Sequence, residues 1–569
     1  MDAATAYQTW LEARSVGRED RKALQAMADS PDSINERFSS WLNFGTGGLR
    51  GRMGLGSNRM NIYTVRLATQ ALASVLAPSG RSPAGVVIAY DSRRMSREFA
   101  EESAKVLIGN GVPAYLFEQI TATPILSFAV RHLQADGGIV ITASHNPPEY
   151  NGYKAYGPDG GQLLAEPSTS VSERMAALTL DEVQLSDDLV GSPLFRRVGS
   201  DVYEAYFRAV LAASDNPRLD PESVSVLYTP LHGVGGHYVP EVLKRAGFTS
   251  TTCVTAQMQP DPDFSTVKSP NPEEAESFQL ALQEAAGGRF DLLLATDPDG
   301  DRVGCAVWHD SKYQRLTGNQ IGVLLTDYLL SQEDEDSSVV NVVIKTIVTT
   351  EMVRPLSQHY GARVIDTLTG FKYIAEQMGI LERNKNEKFL FGFEESYGYL
   401  AGSFARDKDA VIASLLIAQM TALHKQSGQS LVDKLEELME THGYYLESLD
   451  NFSFANQEEA ERAAALIESL RTDPPDHLGG ETIDVVRDFW QSTATNRKTQ
   501  QQETIHLPKE NVIQLETESK TRVTLRPSGT EPKMKLYIGA VGESKAETEM
   551  RLRRIRSACE QLISKSTLS

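Results

Sequence analysis

The most informative stretch of the chain is residues 137–154, GGIVITASHNPPEYNGYK. The apolar run Ile139–Ile141 predicts a short buried strand. The Asn-Pro-Pro that follows must end this strand, because proline has no N–H to donate and fixes its own φ. Ser144 is therefore expected on a tight bend.

Two titratable residues near Ser144 are candidates for handling its proton. A serine hydroxyl is a poor nucleophile unless a neighbouring group takes its proton or a cation stabilises its alkoxide, and His145 and Lys154 are close in sequence. The motif is not the Gly-x-Ser-x-Gly elbow of a hydrolase, because Thr142 and Asn146 stand at the glycine positions. A polar turn without chemistry is the alternative interpretation.

Strands that lead into polar loops recur along the chain. Asp291–Ala295 precedes Asp297, and Lys388–Phe391 precedes Glu394, as Ile139–Ile141 precedes Ser144. Three copies of strand, helix and strand predict an α/β fold with three related α/β domains, whose sites lie at the carboxyl ends of the strands. From about residue 444 the pattern changes to a smaller C-terminal α+β domain. The expected domains are residues 1–205, 206–320, 321–443 and 444–569.

Composition narrows the class of protein and its partners. The 569 residues carry a net charge of −20, which argues against nucleic acid or a membrane surface as partner. The N-terminus resembles no signal peptide and no apolar run is long enough to span a membrane, so a cytoplasmic location is expected. Three widely spaced cysteines indicate buried thiols rather than a zinc site or disulfides.

A candidate metal loop follows the second of these strands. Asp297, Asp299 and Asp301 alternate with Pro298 and Gly300, and an extended chain would aim the three carboxylates to one side. Hard oxygen ligands of this number, with a glycine bend between them, suit Mg²⁺, which completes its shell with water and phosphate. An EF-hand is excluded, since its sixth and twelfth positions hold Arg302 and Trp308. An acidic turn without metal is the alternative.

Two further loops are candidate anion sites. Residues 44–51, FGTGGLRG, contain four glycines and Arg50, but match neither the dinucleotide nor the Walker pattern. Near the C-terminus, Arg526 can meet a phosphate with two hydrogen bonds, and Ser528, Gly529 and Thr530 offer hydroxyl and backbone donors. A flexible loop and a surface turn are the respective alternatives.

These loops, in this order, resemble the active-site loops of the α-D-phosphohexomutases, the phosphoglucomutase and phosphomannomutase family. The resemblance runs from about Phe44 to Ile563 and implies that the four domains surround a central active-site cleft. It implies that Ser144 carries a phosphoryl group, that Ser144 and the three aspartates hold the cation, and that Arg302 lies beside the phosphate. Lys154, with His145 second, is the expected general acid/base for the sugar hydroxyl, and a purely structural role is the alternative for His145.

The same resemblance assigns the substrate contacts. Residues 392–399, GFEESYGY, resemble the sugar-recognition loop and look closer to bacterial phosphoglucomutases than to phosphomannomutases. The full set of expected substrate-binding residues is Arg50, Lys345, Gly370, Lys372, Glu394, Ser396, Lys408, Arg526, Ser528, Gly529 and Thr530.

The implied activity is that of a Mg²⁺-dependent isomerase that interconverts glucose 1-phosphate and glucose 6-phosphate through a phosphoserine and glucose 1,6-bisphosphate. The alternatives are a phosphopentomutase or a sugar-bisphosphate synthase on the same scaffold, and a catalytically silent phosphosugar-binding protein. Ser144 and the three aspartates argue against a catalytically inactive protein, because a binding protein would need neither the serine nor the metal carboxylates. The sequence leaves the oligomeric state open.

Overall fold

The computed structural model describes residues 2–42, 44, 48–76, 82–216, 218–333, 338–454, 457–527 and 533–568. The chain divides into two compact units. The first comprises Met1–Leu325 and Gly370–Leu431, and the second comprises Thr326–Thr369 and Val432–Ser569. Ser144 belongs to the first unit, and so does the loop of Asp297, Asp299 and Asp301, called the acidic loop below. Lys345 and Arg526 belong to the second unit.

The first α/β region begins with three helices and contains a six-stranded sheet. Its helices are α1 (Ala3–Glu12), α2 (Arg18–Gln25), α3 (Pro31–Phe38), α4 (Ile62–Leu76), α5 (Ser96–Gly109), α6 (Thr123–His132), α7 (Ala165–Ala177) and α8 (Ser200–Ala213). Its strands are β1 (Leu49–Arg52), β2 (Val86–Tyr90), β3 (Ala114–Phe117), β4 (Gly137–Ile141), β5 (Tyr150–Tyr156) and β6 (Phe195–Val198).

The strand order of this sheet is β1-β5-β4-β2-β3-β6. The pairs β2/β4, β2/β3 and β3/β6 are parallel, whereas β5 runs antiparallel to both β4 and β1. All five residues of β2 and of β4 are buried, as expected for apolar strands covered on both faces. Ser144 follows the carboxyl end of β4, where the apolar run and the prolines predicted it.

The second α/β region contains a five-stranded sheet in the first unit. Its elements are β7 (Val226–Thr229), α9 (Val239–Arg245), β8 (Thr251–Cys253), α10 (Thr255–Met258), α11 (Gln279–Ala285), β9 (Leu292–Thr296), β10 (Val303–His309) and β11 (Lys312–Arg315). The order is β11-β10-β9-β7-β8, with β7 parallel to both β8 and β9.

The acidic loop is the turn between β9 and β10, which are antiparallel. The chain therefore reverses at this loop, where the sequence predicted a glycine bend in an otherwise extended segment. Gly300 has a φ of +67°, a left-handed conformation that glycine adopts without strain. The reversal, rather than the pleat of a strand, brings the carboxylates together.

The third α/β region contributes to both units. Its elements are α12 (Gly318–Leu330), β12 (Val340–Thr346), α13 (Val353–His359), β13 (Arg363–Thr367), α14 (Phe371–Leu381), β14 (Glu387–Glu394), β15 (Gly398–Ala401), α15 (Ala410–Gln426) and α16 (Leu431–His442). In the second unit β12 and β13 are parallel, and in the first unit β14 and β15 form an antiparallel hairpin. Glu394, expected on a loop, ends β14, because its partner Gly398 extends the ladder.

The C-terminal region of the second unit is built on an antiparallel sheet. Its elements are β16 (Tyr444–Ser453), α17 (Gln457–Thr472), β17 (His477–Leu478), β18 (Glu481–Asp488), β19 (Thr493–Asn496), β20 (Gln502–Thr504), β21 (Ile513–Thr517), β22 (Arg522–Pro527), β23 (Lys533–Gly542) and α18 (Lys545–Leu568). The order is β16-β23-β22-β21-β18-β19-β20, with β17 paired to β18. Together with α17 and α18, this sheet forms the expected α+β region.

No helix in the described part of the chain is both long enough and apolar enough to cross a membrane.

Candidate active site

Ser144 lies at a strained point of the chain beside the acidic loop. Its φ is +51°, a region that residues other than glycine seldom occupy. The side chain is only 3% exposed, and Oγ donates a 2.8 Å hydrogen bond to Oδ2 of Asp297. His145 Nδ1 lies 3.3 Å from the same Oγ. The structure therefore brings the serine, its neighbouring imidazole and the first aspartate into one cluster.

The three aspartates are buried and positioned to share a cation. One carboxylate oxygen from each of Asp297, Asp299 and Asp301 lies within 4.8 Å of the others. Oδ1 of Asp297 accepts from the backbone N–H groups of residues 301 and 302, at 3.1 and 3.0 Å. Oδ1 of Asp299 and Oδ1 of Asp301 are buried and accept no hydrogen bond from the described residues. Buried carboxylate oxygens without donors fit a hard cation.

Two lysines contact the opposite oxygens of the same carboxylates. Lys154 Nζ lies 2.8 Å from Oδ2 of Asp299 and 3.1 Å from Oδ2 of Asp301, and Lys408 Nζ lies 3.2 Å from the latter atom. The lysines thus occupy the Oδ2 side and leave both Oδ1 atoms for another ligand. Arg302 adds a third positive group, with its Nε 3.9 Å from Oδ1 of Asp301.

Ionisation differs among the three aspartates. Burial and repulsion by Asp299 and Asp301 raise the pKa of Asp297 well above its ordinary value. Burial also opposes the ionisation of Asp301, but the attraction of Lys154, Lys408 and Arg302 outweighs it and lowers its pKa. For Asp299, burial and Asp301 raise the pKa, but Lys154 shifts the balance and the pKa is lowered.

The candidate acid and base residues near Ser144 also differ in charge. Burial, reinforced by the positive charges of Arg302 and Arg50, lowers the pKa of His145 well below 6.5, so the ring is neutral near pH 7. Burial opposes the charge on Lys154, but Asp299 and Asp301 outweigh it and raise the pKa of the ammonium. His145 is therefore able to accept a proton, and Lys154 holds one.

Two contacts from distant parts of the chain fix the acidic loop, and sequence reasoning missed both. Thr123 at the start of α6 donates from Oγ1 to Oδ2 of Asp299 and from its backbone N–H to the Asp299 carbonyl, both at 2.9 Å. Ala410 N, at the start of α15, donates to the carbonyl of Gly300 at 3.2 Å. A polar residue followed by proline is a signal for a helix start at Thr123, but it does not indicate the contact with Asp299.

Other predicted substrate residues of the first unit also lie near these loops. Arg50 Nη1 donates to Oδ1 of Asn146, in the loop that carries Ser144, at 2.9 Å. Glu394 is 6% exposed and its Oε1 accepts from the N–H of Gly370 at 2.9 Å. This bond joins the predicted sugar loop to the start of α14.

The remaining two predicted residues of the first unit differ in their surroundings. Lys372 is buried in the first turn of α14 with its Nζ 5.2 Å from the Tyr373 ring centroid. Ser396 is half-buried in the turn between β14 and β15. Both therefore flank the junction of Gly370 and Glu394.

Lys345, predicted to contact substrate, has a different environment. Its side chain has no exposed surface, and Nζ lies 2.7 Å from Glu351, 3.0 Å from Asp366 and 3.2–3.3 Å from the carbonyls of Thr346 and Thr349. An ammonium has three N–H donors, so these partners use all of them. Lys345 thus forms a buried ion cluster in the second unit, and a direct phosphate contact by this residue stays a prediction.

The C-terminal anion loop is described only at its beginning. Arg526, in β22 of the second unit, donates from Nε to Oε1 of Glu510 at 2.8 Å. Its side chain is 20% exposed. The predicted residues Ser528, Gly529 and Thr530 lie outside the described residues.

Comparison with known proteins places the chain in a family. Residues 42–182 match the model of phosphoglucomutase/phosphomannomutase alpha/beta/alpha domain I, residues 204–310 match domain II, and residues 317–442 match domain III. These models cover the loops that carry Ser144, the three aspartates and Glu394.

Individual proteins related to this chain carry names that agree with the family models. A phosphoglucomutase of Staphylococcus haemolyticus (strain JCSC1435) is 40% identical over 507 residues, which are 88% of this chain and 90% of that protein. The structure of the Paramecium phosphoprotein pp63/parafusin, a phosphoglucomutase, superposes with a TM-score of 0.68 at 15% identity over 93% of this chain and 97% of its own.

A more distant structure shares the fold. It is an Aspergillus fumigatus N-acetylphosphoglucosamine mutase in complex with GlcNAc-6P and magnesium. It has a TM-score of 0.52 at 14% identity and covers 96% of this chain and 100% of its own. The three α/β regions with a C-terminal α+β region are thus an architecture that known phosphohexomutases share. The resemblance noted in the loops is confirmed, and the chain belongs to the phosphoglucomutase/phosphomannomutase family.

Proposed function

We propose that the chain is a phosphoglucomutase that interconverts glucose 1-phosphate and glucose 6-phosphate, with Ser144 as the residue that carries the phosphoryl group. The observation that carries this proposal is the 2.8 Å hydrogen bond from Ser144 Oγ to Asp297, inside a cluster of three buried carboxylates. The name of the S. haemolyticus relative, at 40% identity, supports glucose as the sugar.

Mg²⁺ is the proposed cation, held by Asp297, Asp299, Asp301 and the phosphorylated Ser144. The donor-free Oδ1 atoms of Asp299 and Asp301 support this assignment. When bound, the cation supplies charge stabilisation to the phosphoryl group in transfer. Arg302, next to Asp301, is proposed to contribute further charge stabilisation to the same phosphoryl group.

The proposed reaction exchanges phosphoryl groups without net hydrolysis. The bond from phosphorus to Ser144 Oγ breaks as a bond forms to the free hydroxyl of the sugar monophosphate, which gives up its proton. The product, glucose 1,6-bisphosphate, reorients so that its other phosphoryl group faces Ser144. It then returns that phosphoryl group to Ser144. We assign the proton transfers to His145, which is neutral and able to accept, and to Lys154, which is charged and able to donate.

Binding of the sugar phosphate is assigned to the residues predicted from the sequence. Glu394 and Ser396 are proposed for the ring hydroxyls, and the basic residues for the phosphate that is not transferred. The proposed phosphate contacts and their backbone neighbours are Arg50, Lys345, Gly370, Lys372, Lys408, Arg526, Ser528, Gly529 and Thr530. The four domains are proposed at residues 1–205, 206–320, 321–443 and 444–569. A cytoplasmic location belongs to the same proposal, since a doubly charged sugar phosphate does not cross a bilayer unaided.

The test compares substrates on one preparation. A coupled assay with glucose 1-phosphate, ribose 1-phosphate and mannose 1-phosphate should show the highest kcat/KM for glucose 1-phosphate. Higher kcat/KM for ribose 1-phosphate would identify a phosphopentomutase, and accumulation of the bisphosphate would identify a synthase. Binding without turnover of any of the three would overturn the enzymatic assignment.

A second experiment tests the phosphoserine. Phosphatase-treated protein should regain activity on addition of glucose 1,6-bisphosphate, and the mass gain of one phosphoryl group should map to Ser144. Ser144→Ala should abolish both effects. Ser427→Ala, at an exposed serine after α15, is the matched control and should behave as wild type.

A further inference from the structure

Arg93 lies buried beneath the loop that carries Ser144. Its side chain has no exposed surface. Its guanidinium donates hydrogen bonds to the backbone carbonyls of four loop residues, which are Ser144, Asn146, Pro147 and Tyr150. The bonds to Pro147 and Tyr150 are 2.8 and 3.2 Å long. One planar group thus holds the backbone of the whole turn.

The guanidinium is itself fixed from two other sides. Its Nε lies 3.3 Å from Oδ2 of Asp91, a carboxylate that has no exposed side-chain surface. The other oxygen of Asp91 accepts from Ser96 Oγ at 2.7 Å and from the Arg93 N–H at 2.9 Å. The ring of Phe264, from the segment between α10 and α11, covers the guanidinium at 4.9 Å from its centroid. Little freedom remains for the Arg93 side chain.

The turn needs such a partner because its conformation is unfavourable by itself. The φ of +51° at Ser144 brings the Cβ atom of an L-residue into a crowded position. The proline at residue 147 has no N–H, so the turn has few backbone donors for its own carbonyls. A donor that binds the Ser144 carbonyl fixes the peptide plane after Ser144, and with it the direction in which Oγ points.

We propose that Arg93 is a positioning residue that holds Ser144 in its left-handed conformation and thereby aims Oγ at the acidic loop. The proposal rests on the proposed function, because it concerns the nucleophile of that reaction. Within the described residues, Arg93 bonds to backbone carbonyls of the turn and not to Oγ, so it acts through the backbone. Lysine cannot replace it, since a single ammonium lacks the planar, five-donor geometry that reaches four carbonyls at once.

The test compares Arg93→Lys with Arg94→Lys. Arg94 is the matched control, because it is the next residue, its side chain is 57% exposed, and its ion pair is with Asp263 on the surface. In Arg93→Lys, the rate at which glucose 1,6-bisphosphate phosphorylates dephosphorylated protein should fall about 100-fold, the loss expected when a reacting atom is displaced by about 1 Å. kcat should fall equally, while KM for glucose 1-phosphate stays within about threefold. Arg94→Lys should match wild type.

A separate readout follows the loop itself. Amide hydrogen exchange at residues 144–152 should be faster in Arg93→Lys and unchanged in Arg94→Lys. If Arg93→Lys does not fold, Phe264→Leu takes its place, since it removes only the ring that covers the guanidinium, and it should slow phosphorylation in the same way.

The outcomes separate this proposal from the function on which it rests. A wild-type protein that is never phosphorylated on Ser144 overturns the proposed function. An active wild type with unchanged phosphorylation and exchange in the folded Arg93 variant, or in Phe264→Leu where that variant replaces it, overturns the positioning role. An equal loss in Arg94→Lys overturns it too.

Discussion

The side chain of Lys408 occupies the space that a side chain at residue 398 would need. A Cβ atom added to Gly398 would lie 2.1 Å from Cδ of Lys408. Gly398 lies within the predicted sugar loop and begins β15, and Lys408 Nζ contacts Asp301 at 3.2 Å. The glycine therefore opens the path by which this lysine reaches the acidic loop.

We expect Gly398→Ala to lower activity by moving Lys408 away from Asp301. The displaced ammonium no longer offsets the carboxylate charge, so kcat/KM should fall about 10- to 100-fold, and the overpacking should cost ~1–3 kcal/mol of stability. Gly379→Ala is the control, because nothing lies within 4 Å of its added Cβ and it sits inside α14. That variant should be fully active. Equal activity of both variants would show that Lys408 is not needed at Asp301.

Asp299→Asn should weaken binding of Mg²⁺ and remove most activity. The amide keeps the shape of the side chain but lacks the charge, and its nitrogen faces the Nζ of Lys154 or the cation. We expect at least a tenfold loss of Mg²⁺ affinity by calorimetry, since changes even to outer-shell partners cost about 10- to 100-fold. Asp201→Asn, at an exposed surface carboxylate, should bind as wild type. Wild-type turnover by Asp299→Asn in the presence of a chelator would contradict the metal assignment.

Ionisation of Asp409 should make the free energy of unfolding depend on pH, and Asp409→Asn should remove this contribution. Asp409 caps α15, accepts from Tyr206 and the N–H groups of Val411 and Ile412, and is buried. Burial is the main cause that raises its pKa from 3.8 to about 6. Folding therefore favours the protonated form. The stabilisation from this group is complete below the unfolded pKa and is lost as the pH rises through the folded pKa.

The measurement is urea unfolding of wild type and Asp409→Asn across this range. From about pH 8 to about pH 5, the stability of wild type relative to the variant should increase by roughly 1 kcal/mol. Asparagine retains an oxygen for the helix cap, so the cap is matched between the two proteins. Parallel stability curves would show that Asp409 titrates near its ordinary pKa in the folded chain.

Substitutions of Arg526 and Arg522 should have different effects, the first on substrate binding and the second on the stability of the protein. Arg522 Nε lies 3.0 Å from Glu516, and its guanidinium also pairs with Glu351, so Arg522→Ala should cost ~1–3 kcal/mol of stability. Arg526→Ala should instead lower kcat/KM for glucose 1-phosphate about 10- to 100-fold through KM, with little change in Tm, if the lost contact is a charged hydrogen bond to phosphate. An unchanged KM in Arg526→Ala would remove Arg526 from the proposed phosphate contacts.

Local chemistry of the site was readable from sequence, because it is encoded within a few residues. The prolines after β4 predicted a bend at Ser144, and the spacing of Asp297, Asp299 and Asp301 predicted a cluster of carboxylates. The sequence also predicted a glycine bend there, but it attributed the common direction of the carboxylates to an extended chain. A turn at Gly300 gathers the side chains, and a local pattern of alternating residues does not distinguish this from an extended strand.

Contacts between distant residues were not readable, because only the tertiary fold creates them. Thr123 and Asp299 are far apart in sequence, and nothing near either residue indicates their hydrogen bonds. Lys345 is a second example, because its ion pairs with Glu351 and Asp366 were not indicated by the sequence around it. Whether a lysine is free to bind an anion depends on which carboxylates the fold places beside it.

The division of the chain into units has a consequence for its synthesis. The first unit is completed only by residues 370–431, which return to it after the chain has contributed residues 326–369 to the second unit. Asp301 is thus synthesised well before Lys408, one of its two lysine partners. At roughly 5–20 residues per second, several seconds pass between the synthesis of the acidic loop and that of Lys408. A protein shortened to its first two domains would keep every aspartate of the loop and lack this lysine. The smallest product that contains the complete first unit ends near residue 431.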